Sequence, residues 1–400
     1  MNEWPVRQLG ELCVFENGDR GKNYPGRKAF VAKGIPFINA GHISDGIIDM
    51  SEMNFIPREK FDLLGNGKIR KGDVLFCLRG SLGKFGIVTA AIEGAIASSL
   101  VILRPKENLD KYFLGLYLLS PLCQVMIDTY KNGAAQPNLS ARNLKNFKIP
   151  LPPLPEQKRI VAILDEAFAA IDKAIANAEK NLANARELFE SHLQALFAQH
   201  SDGWVEKTLG EIGKISMCKR ILKKQTAASG DIPFYKIGTF GKVANAFISN
   251  EIYQEFREKY SFPRKGDILI SASGTIGRRV IYDGEPAYFQ DSNIVWIDND
   301  ESLVLNEYLY QFYGICDWNP SKGATISRLY NDDLKAIRIS FPNTERQKDL
   351  VNEMLELGRQ TQGMQTLYRK KLTELDELRK SLLHQAFNGQ LTKSDGEVAV

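Results

Sequence analysis

The sequence predicts an α+β protein built as an internal repeat: two mixed α/β domains, each followed by one long helix. Three observations carry this. Residues 151–199 show a helical seam too long to bury in one domain; a second such stretch lies 190 positions on; and short motifs recur in the same order in both halves.

The first half opens with WPVRQLGEL, Trp4 to Leu12, and the second with WVEKTLGEI, Trp204 to Ile212. Next, GIPFINAGHI (Gly34 to Ile43) lies over DIPFYKIGTF (Asp231 to Phe240), an apolar strand ending in a glycine turn. KGDVLFCLRGSLGK (Lys71 to Lys84) then matches KGDILISASGTIGR (Lys265 to Arg278): a Lys-Gly-Asp turn, a buried strand, and a tight loop framed by Gly80 and Gly83 or by Gly274 and Gly277. Finally Asn132 to Pro152 matches Lys322 to Pro342, a polar loop, a helical turn and a last strand. The segments between, such as 50–67 and 244–260, resemble each other little, so the framework is expected to repeat while the inserts differ. The boundaries read as a domain over 1–150, a helix over 151–200, a domain over 201–340, a helix over 341–391 and a tail over 392–400.

In the first helix Ile160, Leu164, Ala167, Ile171, Ala174, Ala178, Leu182, Ala185, Leu188 and Leu196 fall at spacings of mostly three and four, a coiled-coil seam. Prolines 152, 153 and 155 hold its entry extended and predict a start near Glu156. From there to Gln199 the helix would span about 65 Å. The second seam runs through Leu350, Met354, Leu357, Thr361, Met364, Tyr368, Leu372, Leu375, Leu378 and Leu382. Two struts of equal length in one chain are each other's natural partners.

Hydrophobic residues make up 44% of the chain, enough for ordinary buried cores. The first residues lack a basic region followed by an apolar run, and no stretch approaches a membrane span, which predicts a soluble cytoplasmic protein. Cysteines 13, 77, 123, 218 and 316 are scattered and read as buried reduced thiols. The four histidines form no metal-binding pair, so no metal is expected. Of the net charge of +4, residues 1–150 carry +6, residues 151–200 carry −2, and the rest is balanced. That excess permits nucleic-acid binding without requiring it.

No catalytic residue emerges. Gly80 to Lys84 lacks the spacing and the following Ser/Thr of a nucleotide-binding loop. Asn319-Pro320 is followed by Ser-Lys, a poor copy of the motif that holds an amino group for methylation. Candidate DNA contacts fall in three places. The turn after the first matched strand offers Asn39 and His42 in one half and Lys236 and Thr239 in the other. The glycine-framed loops bring Arg79, Ser81 and Lys84, and Ser273, Thr275 and Arg278. The loops before the helices carry Lys131, Gln136 and Asn138, and Lys322, Thr325 and Arg328. Such side chains reach phosphates and base edges. The other reading is structural: glycines that only close a hairpin, and polar residues that only cap a turn.

With these motifs in place, the tandem arrangement resembles the specificity subunit of type I restriction-modification systems. LPPLPEQKRIV (Leu151 to Val161) opening one helix and the weaker FPNTERQKDLV (Phe341 to Val351) opening the other carry the resemblance most specifically. It implies two target recognition domains, each reading half of a split DNA site, separated by two long antiparallel coiled-coil helices with pseudo-twofold symmetry. It also implies a non-catalytic subunit that recruits two adenine-methylating modification subunits and, in the full complex, ATP-dependent restriction subunits. S-adenosylmethionine, ATP and Mg2+ would then sit on those partners and not on this chain. The second helix departs from the pattern, with Glu345 and Arg346 where the first has Pro155 and Glu156, and with Gly358 and Gly363 opposing its straightness. A competing reading is a coiled-coil scaffold whose domains have no DNA affinity; the neutral second domain favours it.

Overall fold

The computed structural model describes residues 4–133, 137–198, 203–318 and 328–392. The chain divides into two compact units, Met1–Ala178 with Lys370–Val400, and Glu179–Arg369.

In the first unit a four-stranded antiparallel sheet runs in the order Cys13–Asn17, Leu100–Pro105, Val74–Cys77, Phe85–Ile87. Val74, Leu75, Phe76 and Cys77 are all buried because the strand is covered on both faces. A three-stranded sheet lies beside it, Phe55–Ile56, Ile35–Ile38, Ala95–Ile96, the last pair parallel. Val6–Gln8 pairs with Lys148–Pro150 and so ties the start of the domain to the strand that feeds the first long helix. Helices Lys111–Leu119 and Pro121–Tyr130 cover the sheet. Each is capped at its start, by Asp110, which accepts from the amides of Tyr112 and Phe113, and by Ser120.

The second unit repeats this topology. Its four-stranded sheet is Lys214–Ser216, Ile294–Asp298, Ile268–Ser271, Arg279–Ile281, its three-stranded sheet Phe247–Ile248, Ile232–Tyr235, Tyr288–Phe289, and its closing pair Val205–Thr208 with Arg338–Phe341. The repetition goes deeper than the sequence motifs. The segments expected to differ both fold as a short strand followed by a helix, Phe55–Ile56 with Arg58–Asp62 and Phe247–Ile248 with Asn250–Lys259. The units differ in the length of this helix, in a hairpin of Ile43–Ser44 and Ile47–Ile48 found in the first unit, and in the helix Pro121–Tyr130, which has no counterpart after Asn306–Phe312 among the described residues.

Both long helices are continuous over 44 residues, Leu154–Phe197 and Thr344–Phe387. The first starts two residues before Glu156, because a proline fits the first helical turn, where its missing N–H has no partner to lose, and Pro155 sits there. Gln199 lies outside the described residues. In the first unit Asp172 of one helix pairs with Arg379 of the other, whose guanidinium stacks 5.0 Å over Phe168. In the second, Phe189 lies against Gly358, and His192 faces Glu353 at 3.8 Å. Within each unit the helices therefore run antiparallel.

The seam departs from expectation at Leu188, Met364 and Leu378, which are exposed. Phe189 and Arg379, one residue further on, take up the contacts, because the spacing near this end of each helix is four and four instead of three and four. The two glycines do not break the second helix. Gly358 gives Phe189 its seat, and a Cβ at Gly363 would meet nothing within 4 Å. Gly363→Ala is therefore expected to stabilise the protein by about 1 kcal/mol, read as a rise in the urea midpoint at unchanged slope; a loss of stability would mean that the glycine serves a bend.

Each helix entry is latched by the glutamine of the matched motif. Gln157 is fully buried; its Oε1 accepts from the Asp110 amide at 2.8 Å, and its Nε2 donates to the carbonyls of Asn108 and Pro152 at 2.9 Å. Gln347 does the same with the Leu305 amide and the carbonyls of Leu303 and Pro342. The aspartates of the Lys-Gly-Asp turns, Asp73 and Asp267, are buried too, and each accepts from a backbone amide three residues before it. Their surroundings differ. Asp73 is held by the Nε and Nη2 edge of the Arg104 guanidinium at 2.8 and 2.9 Å. The residue equivalent to Arg104 is Asp298, which pairs with Arg264 instead.

Burial accordingly pushes the Asp267 carboxyl above its usual range, with the nearby Asp298 adding to the shift. The folded unit holds that proton more tightly than the unfolded chain, so its stability falls as pH rises from about 4 toward neutrality. Asp267→Asn is expected to flatten this dependence and raise second-unit stability at neutral pH, measured by denaturation at several pH values; an unchanged profile would remove Asp267 as its source.

The cysteines are free. Four are buried and Cys316 is half-buried, and burial pushes all five thiols up to about 12. No single helix among the described residues is long and apolar enough to cross a membrane, and none of their His, Cys, Asp and Glu side chains gather as a metal site.

Candidate nucleic-acid interface

In each unit the glycine-framed loop joins two strands of the four-stranded sheet. Gly80 and Gly83 have φ of 84° and 89°, Gly274 and Gly277 of 68° and 78°, conformations that favour glycine. A Cβ on Gly277 would also strike the Trp318 ring. The loop is closed by matching bonds: the Cys77 amide to the Lys84 carbonyl at 2.8 Å, and the Ser271 amide to the Arg278 carbonyl at 2.9 Å.

The loop preceding each long helix runs back along this hairpin. The amide of Leu139 donates to the Leu78 carbonyl and that of Leu329 to the Ala272 carbonyl, both at 2.9 Å, which places Asn138 opposite Arg79 and Arg328 opposite Ser273. Two of the three candidate stretches thus meet in one place in each unit. In the first unit they border a groove of about 490 Å³ lined by Asn17, Arg20, Arg79, Asn138 and Ser140.

Arg79 is exposed and donates from Nη2 to the Ser98 carbonyl at 3.1 Å; Arg20 donates to the same carbonyl at 3.3 Å. In the second unit Arg328 donates to the equivalent Ser292 carbonyl at 3.0 Å and lies 6.0 Å over Tyr330. Arg220 pairs with the neighbouring Asp291 at 3.3 Å. Arg20 and Arg220 escaped the motif reading. Their signal was present, since the shift of 200 that lays Trp4 on Trp204 also lays Arg20 on Arg220.

Of the remaining candidates, Lys84, Lys131, Lys236 and Thr275 are exposed, and Ser81 is half-buried. Lys131 pairs with Asp128 at 2.7 Å, an exposed pair of little energetic weight. Arg278 is half-buried and donates from Nη1 to the Phe240 carbonyl at 2.8 Å. Gln136, Lys322 and Thr325 lie outside the described residues, as does Asn319-Pro320.

Two candidates are corrected by burial. His42 is 8% exposed; its Nδ1 accepts from the Asn39 amide at 3.2 Å, while Asn39 accepts from the Gly41 amide at 2.8 Å. Burial lowers the His42 pKa, which keeps the ring neutral as that acceptor. The same turn recurs with half-buried Thr239, whose Oγ1 accepts from the Lys236 amide at 3.2 Å, so His42 and Thr239 both lock a turn. Ser273 is also 8% exposed, and its Oγ donates to Asn293 at 2.7 Å. A polar side chain buried in a strand end satisfies itself locally.

The model of the type I restriction modification DNA specificity domain matches residues 1–181 and again residues 201–370. The chain belongs to this family. The specificity-domain chain is 52% identical over 255 residues to the Haemophilus influenzae type I restriction enzyme specificity subunit S.HindORF215P, an alignment covering 63% of this chain and 65% of that one. It is 24% identical to the Methanocaldococcus jannaschii MjaX specificity subunit, over 97% of this chain and 94% of the relative. Among solved structures, a chain from a study of assembly and conformational transition of the type I R-M system has a TM-score of 0.78 at 21% identity, covering 97% of this chain and 98% of that one. The HsdS subunit from Thermoanaerobacter tengcongensis has a TM-score of 0.64 at 20% identity, covering 97% of each chain. These two likenesses show the fold: paired mixed α/β domains with long helices, repeated once.

Proposed function

We propose that this chain is the DNA sequence-specificity subunit of a type I restriction-modification complex and reads a bipartite duplex site. Residues 1–150 and 201–340 act as the two target recognition domains. The observation that carries the reading is the double occurrence of the DNA specificity domain, each copy with a basic loop cluster at the same place but with different polar residues around it. A shared frame with different side chains is what reading two different half-sites requires.

The chain itself does no chemistry in this reading. Two modification subunits, carrying S-adenosylmethionine, dock on it and methylate adenine, and restriction subunits carrying ATP and Mg2+ complete the nuclease. DNA contacts are assigned to Asn39, Arg79, Ser81, Lys84, Lys131, Gln136 and Asn138 in the first domain. In the second they are assigned to Lys236, Thr239, Thr275, Arg278, Lys322, Thr325 and Arg328. The long helices set the distance between half-sites. Seven residues added to each helix, after Ala178 and after Tyr368, keep the seam in register and add about 10 Å. Because that rise equals roughly three base-pair steps, the unspecified gap in the recognised site is expected to lengthen by about three base pairs. The test is the site selected from a random duplex library by the complex with its modification subunits. An unchanged gap in a folded variant would sink the ruler, and selection without any sequence preference would favour a scaffold.

A further inference from the structure

The four arginines that converge on the Ser98 and Ser292 loops occupy equivalent places, yet reach them differently. Arg20 and Arg220 come from the same position after the edge strand, as the repeat demands. The other two do not. Along the bridge between the glycine-framed hairpin and the loop before the long helix, the first unit sets Arg79 on the hairpin against Asn138, and the second sets Ser273 on the hairpin against Arg328. The guanidinium has changed strands and kept its tether: Arg79 donates to the Ser98 carbonyl, and Arg328 to the Ser292 carbonyl.

A cation that persists in place while the residue bearing it moves across a bridge serves a need common to both units. Sequence is not such a need, because the two units read different half-sites in the proposed function. The backbone of the DNA is common to both. The tether holds each guanidinium through one nitrogen, Nη2, and a guanidinium has four further N–H donors with which to meet a phosphate. Among the described residues, Arg79, Arg20 and Arg328 make no ion pair with a carboxylate, so no described carboxylate neutralises their charge. In the second unit Arg220 is neutralised by Asp291.

We propose that Arg79 and Arg328 are equivalent phosphate anchors, one per recognition domain, each binding a backbone phosphate of its half-site and fixing the register in which neighbouring residues read bases. Arg20 reinforces the anchor in the first domain. This rests on the DNA-specificity reading and says which residues position rather than specify.

The test uses the full chain with its modification subunits, on a duplex carrying the site that the wild-type complex selects and on an unrelated duplex. Arg79→Ser is expected to weaken binding to both duplexes by about tenfold and to reduce the slope of log affinity against log salt by about one, leaving the selected sequence unchanged. Arg79→Ser combined with Asn138→Arg copies the arrangement of the second unit, and is expected to restore affinity and slope to near wild type. Rescue by transposition is something a folding defect does not give. Altered base preference at one half-site would overturn the anchor in favour of base reading. Unchanged affinity and slope, or a double variant no better than the single in a folded protein, would overturn it outright. A wild-type complex that selects no sequence would instead remove the reading on which the proposal stands.

Discussion

Gln157→Leu is expected to destabilise the first unit by about 3 kcal/mol, because it strips partners from the buried Pro152 carbonyl and from the part-buried Asn108 carbonyl and Asp110 amide while filling the space with a side chain of similar size. The glutamine ties the end of the sheet, the start of helix Lys111–Leu119 and the entry of the long helix into one knot. Hydrogen exchange at the Asp110 amide, which donates to Gln157, reads the loss directly. Gln347→Leu should do the same to the Leu305 amide in the second unit. An unprotected Asp110 in the wild type, or a variant as stable as wild type, would show that the latch is not made.

Arg104→Met is expected to cost more, on the order of 3–5 kcal/mol, since it leaves the wholly buried Asp73 without its bidentate partner. Glu16, also bonded to Arg104 at 3.2 Å, would lose that bond and keep the amides of Gly67 and Lys68. Adding Asp73→Asn should recover most of the loss, because the buried charge is then gone and the Arg70 amide keeps an acceptor. Denaturation followed by hydrogen exchange in the strand Leu100–Pro105 measures both. If the double variant were as unstable as the single, the arginine would matter for packing and not for pairing.

Much of the fold was legible because its signals are local or periodic. Seam spacing gave two helices of equal length, and the glycines at 80, 83, 274 and 277 gave the hairpin, since positive φ leaves few other residues. The helix start was misplaced by two residues, because the ban on proline inside a helix does not extend to its first turn. The exposure of Leu188, Met364 and Leu378 was not legible: a seam drawn from one helix does not fix which residue faces a partner when the spacing changes. The repeated strand and helix in segments of unlike sequence were hidden for another reason. Short elements are held by tertiary pairing, here Val31 with Phe55 and Ala227 with Phe247, and that leaves little trace in composition.

For the interface, residue type was a fair guide to charge and a poor one to direction. His42 and Ser273 have the chemistry to contact DNA, but their neighbours turn them inward. Arg328 and Arg79 were each visible, yet their equivalence was not, because a shift of numbering cannot align residues that sit on opposite strands of a bridge.

The central claim is that this chain selects the DNA sequence for a modification enzyme. Its most direct test is mapping of adenine methylation in cells that carry this chain with its modification subunit, against cells lacking only this chain. The account predicts a methylated motif of two short blocks with a fixed unspecified gap, lost when the chain is absent. The same methylated motif persisting without the chain, when the chain is otherwise folded and expressed, would contradict it.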